Sequence, residues 1–289
     1  MTALTINRAW ALYDPAAHRP LATRFGHDVG AAILTFRPLA LWLLGYPKTA
    51  MMQTDRAIAA ARETGHVPTL LFALTLTALT HICCRDHAAA IARLEECIAL
   101  AQEEAPYIKY LAAGNRGCVL VQTGKASEAI QAISDAITEL RPIGATVWRT
   151  AWLAHLSLAY AELGKLDDAW RCIGEAITAT ETTKERWFEV EIHRIAGEIA
   201  LMSPNRDAVK AEAYFERALT IARKQKAKSW ELRAATSMTR LWCDQGKKQQ
   251  ARELLAPVYD SFTEGFATLD LKEAKTLLVE LARNKHPHS

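Results

Sequence analysis

The stretch from Gly124 to Ile137, GKASEAIQAISDAI, recurs forty residues later as GKLDDAWRCIGEAI, from Gly164 to Ile177. In both, a glycine is followed five residues on by an alanine, and seven residues after that comes a second alanine. Seven residues are two turns of an α-helix, so the two alanines share a face and let a second helix approach closely. The glycine suits the left-handed turn that ends one helix just before the next begins. Outward from these two copies, the same frame finds GYPKTAMMQTDRAI from Gly45, RDHAAAIARLEECI from Arg85 and GKKQQARELLAPVY from Gly246. A degenerate sixth copy, DAVKAEAYFERAL, starts at Asp207. The anchors Ala50, Ala90, Ala129, Ala169, Ala211 and Ala251 are spaced by 40, 39, 40, 42 and 40 residues. Seven positions beyond them stand Ala57, Cys97, Ala136, Ala176, Ala218 and Val258. A fixed period of this length marks an array of helix-turn-helix units, each burying its apolar face against its neighbours.

Composition points the same way. The chain has 289 residues, half of them hydrophobic, with only 13 Gly and 10 Pro, and is rich in side chains that lose little rotamer freedom in a helix. That favours an all-α fold with a substantial core and disfavours a sheet protein. Thirty-five basic against 32 acidic residues leave a formal charge of +3, which gives no global reason to expect nucleic acid or anionic lipid as a partner. Cys83, Cys84, Cys97, Cys118, Cys172 and Cys243 lie in apolar helical patterns without CxxC spacing and read as buried, reduced thiols of a cytoplasmic protein. The N-terminus lacks the pattern of an export signal. Val67 to Cys84 carries no formal charge, but Pro68, four threonines and His81 mark it as a buried helix in place of a membrane span.

The repeat resembles the tetratricopeptide repeat, whose period is nearer 34 residues. Gly117 and Gly197 look like that family's first-helix glycine, Tyr160 like its first-helix aromatic, and Gly124, Gly164 and Gly246 like its turn glycine. The longer period, the missing terminal proline in several copies and Arg85 at a glycine position depart from it. The longer stretches ALYDPAAHRPLATRFGHDVG (11–30), ERWFEVEIHRIAGE (185–198), AKSWELRAATSMTRLW (227–242) and LLAPVYDSFTEGFATLDLKEAKTLL (254–278) are similar to a narrower group. That group is the C-terminal repeat region of bacterial multidomain signalling proteins, in which a class III adenylate or guanylate cyclase domain and a P-loop ATPase module precede the repeats. The resemblance implies a right-handed superhelical solenoid of about six repeats and a regulatory role. It brings no cyclase or ATPase activity, because no residues of those domains are present.

The expected layout is a partial repeat over residues 1–30, the array over 31–265, and a capping helix with a polar tail over 266–289. ALTINRAWALYDP (3–15) reads as the second helix of a unit whose first helix is missing, leaving apolar surface that favours homodimerisation. Asp270 and Glu273 read as the capping box that opens the last helix.

A search for chemistry returns little. Gly-Lys at 124–125, 164–165 and 246–247 lacks the rest of a phosphate loop: position 119 is Val and position 126 is Ala. There is no HExxH or GxSxG. His81 and His155 sit among apolar neighbours as packed or groove-lining histidines, and His286 and His288 lie in the tail. Trp42, Trp152, Trp170, Trp187, Trp230 and Trp242 fit packing positions between helices. Residues 207–255 hold eleven Lys or Arg against six acids, a local excess that could contact an acidic partner surface or nucleic acid, though solvated helix faces usually carry such charges.

The chain is therefore expected to be noncatalytic, with no cofactor and no metal. First helices of a solenoid line its concave surface, where extended peptides or partner helices are held. Counting along the frame puts Asn115, Gln122, His155, Glu162, Arg194, Glu198, Arg233 and Arg240 on that surface. Glu191, Arg194 and Glu198 share one helix face, and a surface ion-pair ladder is the structural alternative there. The functional expectation is a protein-interaction or regulatory scaffold, its partner a protein, a peptide, or cyclase and ATPase domains in cis or trans. The alternative is a small-ligand sensor coupled to such an enzyme.

Overall fold

The computed structural model describes residues 3–101, 105–144 and 148–283. Over these residues the fold is all-α, with no strand. Helix α1 (Ala3–Ala11) and the short α2 (Pro15–His18) and α3 (Ala22–Phe25) lead into α4 (Val29–Leu43). Then come α5 (Pro47–Glu63), α6 (Val67–Cys84), α7 (His87–Ala101), α8 (Pro106–Gln122) and α9 (Ala126–Leu140). They are followed by α10 (Arg149–Glu162), α11 (Leu166–Thr183), α12 (Glu189–Met202), α13 (Ala208–Gln225), α14 (Lys228–Asp244), α15 (Lys248–Asp260) and α16 (Leu269–Arg283). Residues 284–289, with His286 and His288, lie outside the described residues.

The six sequence copies fall on the pairs α4/α5, α6/α7, α8/α9, α10/α11, α12/α13 and α14/α15, each anchor in the second helix. All six anchor alanines have 0% exposure, as do Ala57, Cys97, Ala136, Ala176 and Ala218. No larger side chain would fit without moving a neighbouring helix.

The turn chemistry is equally regular. Five residues before each anchor, Gly45, Gly124, Gly164 and Gly246 have φ between 74° and 90°. Arg85 and Arg206, at the same place in the other two copies, also have positive φ, 58° and 38°. Arg85 thus takes over the backbone state of the missing glycine, at the steric cost of about 1–2 kcal/mol that an L-residue meets there. In five copies the next amide donates to the carbonyl five residues back: Tyr46 to Leu41, Asp86 to His81, Lys125 to Leu120, Lys165 to Tyr160 and Lys247 to Trp242, at 2.8–3.0 Å. These are Schellman closures, which satisfy helix-terminal carbonyls. They consume the Gly-Lys amides that a phosphate would need. The degenerate copy closes more widely, from Asp207 to Ala200. In all six, the anchor alanine's amide then closes the first turn of the second helix.

The helices gather into two compact units. The first comprises Met1–Trp42 and Tyr46–Ala145. Here α6 packs against α5, α7 and α8. By length and composition α6 could cross a bilayer, yet 78% of it is buried inside the protein, as in the core helix of a soluble protein. Thr75 and Thr77 donate to the carbonyls of Leu71 and Ala73, so their hydroxyls are satisfied in the core. Asp28, 2% exposed, opens α4: it accepts from the Ala31 amide at 2.7 Å and from the Tyr13 hydroxyl at 3.0 Å, and its own amide donates to Thr69. Gly117 lies so close to Ile133 of α9 that a Cβ would come within 2.4 Å of it.

The second unit comprises Leu43–Gly45 and Thr146–Ser289. In it α10, α12, α14 and α16 contact one another in succession, and α11, α13 and α15 each pack on the helix before. Gly197 faces Phe215 of α13 as Gly117 faces Ile133. Ser157 and Ser237 fill the corresponding places of α10 and α14 and are buried. Trp152 and Trp230 in this unit, and Trp42 in the first, are 1% exposed, as expected of core residues. Trp170, Trp187 and Trp242 are only half-buried, a correction to the expectation that they pack in the core. Trp187 and Trp242 need partners for their indole N–H and find them in Glu185 and Glu212, while Trp170 lies beneath Lys210. Five cysteines are buried and Cys243 is half-buried.

Candidate functional site

Asn115 and Gln122 belong to the first unit, both on α8. Asn115 is 1% exposed. Gln122 is half-buried, its Oε1 3.0 Å from His87 Nε2 on α7. The other six predicted residues belong to the second unit. His155 of α10 is 5% exposed; its Nδ1 pairs with the Ala151 carbonyl at 2.8 Å and its ring lies against Phe188. Burial pushes this imidazole down from its ordinary pKa. Asn115 and His155 are thus enclosed within the protein, whereas Glu162 is exposed.

Arg194, Glu198 and Arg233 meet in a network that spans three helices. On α12, Glu191, Arg194 and Glu198 occupy positions i, i+3 and i+7; on α14, Arg233, Ser237 and Arg240 occupy i, i+4 and i+7. These spacings line the side chains along one face of each helix. Arg194 makes a two-pronged bond to Glu191, Nε to Oε2 at 2.8 Å and Nη2 to Oε1 at 2.7 Å. Its Nη1 donates to Glu198 at 3.0 Å and to Ser237 at 3.3 Å, and Ser237 donates to Glu198 at 2.6 Å. Arg233 donates to Asp270 of α16 at 2.8–2.9 Å, lies 3.8 Å from Glu191 and covers the face of Trp230. Arg240 pairs with Glu273 at 2.9 Å nearer the surface.

The ladder expected on the surface is therefore largely internal. The Glu191, Arg194 and Arg233 side chains are 7%, 17% and 11% exposed, so the two-pronged Arg194–Glu191 bond is charge-assisted and little screened by solvent. Burial alone would push Glu191 up, but Arg194 and Arg233 overcome it and hold the carboxyl down to about 2. A carboxylate so pinned moves no proton near neutral pH. What the arrangement offers a partner is its outer edge: Glu198, Arg240, Glu273 and the separate Glu162.

Asp270, Glu273 and Ser237 escape a reading along the sequence as members of this network. The two acids carry a signal, since their spacing suggests a capping box. In the structure α16 begins at Leu269, and Asp270 lies inside its first turn with its carboxylate turned to Arg233. The guanidinium is a stronger claimant than the helix amides. Ser237 carries no signal at all: its place opposite Glu198 follows from how α14 packs on α12. Among the described residues no three His, Cys, Asp or Glu side chains gather as a metal-binding group.

No family model matches the chain. It is similar to an uncharacterized protein of Rhizobium meliloti (strain 1021), 27% identical over 244 residues, which cover 82% of this chain and 23% of that protein. The chain thus matches less than a quarter of the length of that relative.

Proposed function

We propose that the chain is a noncatalytic protein-interaction and regulatory module, built as a tetratricopeptide-like solenoid and serving a bacterial cytoplasmic signalling protein of the cyclase and ATPase kind. The observation that carries this reading is the sixfold repeat: an anchor alanine without exposure, preceded five residues earlier by a left-handed turn, in every copy. Units so built devote their recurring geometry to stacking and leave their remaining side chains to recognition. The strongest cluster of ionisable groups, around Glu191 and Arg194, is saturated by its own members, which suits a scaffold better than acid–base chemistry. The resemblance of the longer stretches to the repeat region of cyclase and ATPase signalling proteins supports the signalling context, and the match to a much longer relative agrees with work inside a larger polypeptide.

The partner is expected at the first-helix edge that carries Glu162, Glu198 and Arg240. Affinity purification from the native host, with the wild-type chain and with Glu162→Arg plus Arg240→Glu, tests this. A defined protein retained by the wild type and lost by the variant supports the reading. Retention by both would move the site elsewhere. A metabolite that raises the melting temperature with no protein partner present would replace the scaffold by a ligand sensor.

A further inference from the structure

Exposed arginines of the second unit hold carboxylates as a rule. Arg171, Arg206, Arg223 and Arg240 are each at least half-exposed, yet each has an acidic oxygen at 2.8–3.1 Å. Exposed lysines of this unit mostly stand without one, and on the exposed face of α13 an arginine joins two of them. Lys210, Arg217 and Lys224 recur every seven residues, and among the described residues none has a carboxylate partner. Two turns separate them, so they form a stripe with a rise of about 10.5 Å between charges, drifting about 20° per step. Between them stand Ala213 and Thr220, exposed and small. Lys210 is already seated, its Nζ 3.7 Å from the centre of the Trp170 ring, so it has less freedom to lose on binding.

We propose that this face of α13 docks an acidic helix of a partner protein, whose carboxylates at heptad spacing pair with Lys210, Arg217 and Lys224. The argument is one of charge and spacing. A partner helix repeats its side chains with the same rise, so three carboxylates on one stripe meet three cations, and the small residues between let the helices come close. A nucleic-acid duplex carries a charge every ~1.7 Å, and three cations would leave most of that charge unanswered. A bilayer would need a row of exposed apolar side chains here, and only Val209 offers one, at the end of the stripe. The surface lies on a second helix, apart from the first-helix edge described above, so either site can fail while the other stands.

The test uses the full chain and a synthetic Ala/Gln-rich helical peptide with glutamates at heptad spacing. A peptide of the same composition with its glutamates placed consecutively serves as control, alongside a short DNA duplex. The heptad peptide is expected to bind at least about tenfold tighter than the control, as three matched surface pairs allow. Its affinity falls as ionic strength rises from about 0.01 M to about 0.1 M, where the Debye length shrinks from about 30 to about 10 Å. Lys210→Glu, Arg217→Glu and Lys224→Glu together abolish the difference, at an unchanged melting temperature. If the reversed variant misfolds, the glutamine triple variant answers the same question. Equal binding of both peptides, tighter binding of the duplex, or indifference to either triple variant overturns the proposal.

Discussion

Gly164 and Gly197 are both glycines of the repeat, but they are glycine for different reasons. Gly164 has φ 74° and open space where a Cβ would stand, so Gly164→Ala meets only backbone strain and is expected to cost about 1–2 kcal/mol. Gly197 has an ordinary backbone, but a Cβ would fall 2.4 Å from Phe215; Gly197→Ala is expected to cost about 1–3 kcal/mol through overpacking, and Phe215→Leu should recover part of it. Urea denaturation of the three variants measures both, and rescue confined to Gly197→Ala separates strain from crowding. The thiols divide in a similar way. Burial pushes Cys97 and Cys118 up and Cys172 up to about 11, and Cys83 and Cys84 are buried; burial pushes Cys243 up too, but it alone of the six is half-exposed to a reagent. With a thiol reagent at neutral pH, Cys243 is expected to react well ahead of the other five, which follow only on unfolding. Rapid modification of Cys118 in the native chain would contradict its enclosure.

At the scale of the helix, the network among α12, α14 and α16 ties together elements whose first residues are some forty apart in sequence. Removing the central carboxylate tests how much depends on it. Glu191→Gln keeps the shape but leaves two buried guanidiniums short of a counter-charge, so a loss of up to about 3 kcal/mol is expected; Arg194 retains Glu198 and Arg233 retains Asp270, which limits the damage. Denaturant titration of wild type and variant gives the difference directly. A change within error would mean that the network specifies helix register without adding net stability. The periodicity of Glu191, Arg194 and Glu198 was legible from spacing alone, as were the helix pairs and the turns. The depth of the network was not. Whether a charged helix face meets water or another helix depends on the neighbour's approach, and Ser237, Asp270 and Arg233 arrive from helices whose relation to α12 no local pattern encodes.

For the whole molecule, buried titratable groups set how stability varies with acidity. His193 is held down to about 4, by burial first and then by Arg217. A histidine with a depressed folded pKa binds its proton more readily when unfolded, so stability falls as pH drops from about 6.5, the unfolded value, toward about 4. Glu191 adds a second slope. Its folded pKa is also depressed, so its contribution is complete above about 4.5 and is lost as pH falls through about 2. Melting temperatures between pH 7 and pH 2 are expected to decline in both windows. His193→Gln should lessen the first decline, to which His27, His81 and His155 also contribute because burial lowers them too, and Glu191→Gln the second. A wild-type profile level from pH 7 to pH 4 would show that His193 is solvated and ordinary.

The sequence by itself determined the helix pairs, because a small residue every forty positions and a left-handed turn five residues earlier are local demands that any packed neighbour must respect. At Arg85 and Arg206, where glycine is absent, it was the structure that showed the left-handed turn to persist. The sequence also identified the charged members of the first-helix face, since residues three, four and seven apart share a side of a helix wherever that helix lies. Only the tertiary structure decided which of them are enclosed, as Asn115 and His155 are, and which stay open, as Glu162 and Arg240 do. It alone matched Arg206 and Arg240 with carboxylates more than thirty residues away and left the α13 stripe without a carboxylate. The reason is one of range: helix and turn preferences act over a few residues, whereas burial and ion pairing are set by surfaces brought together from far along the chain.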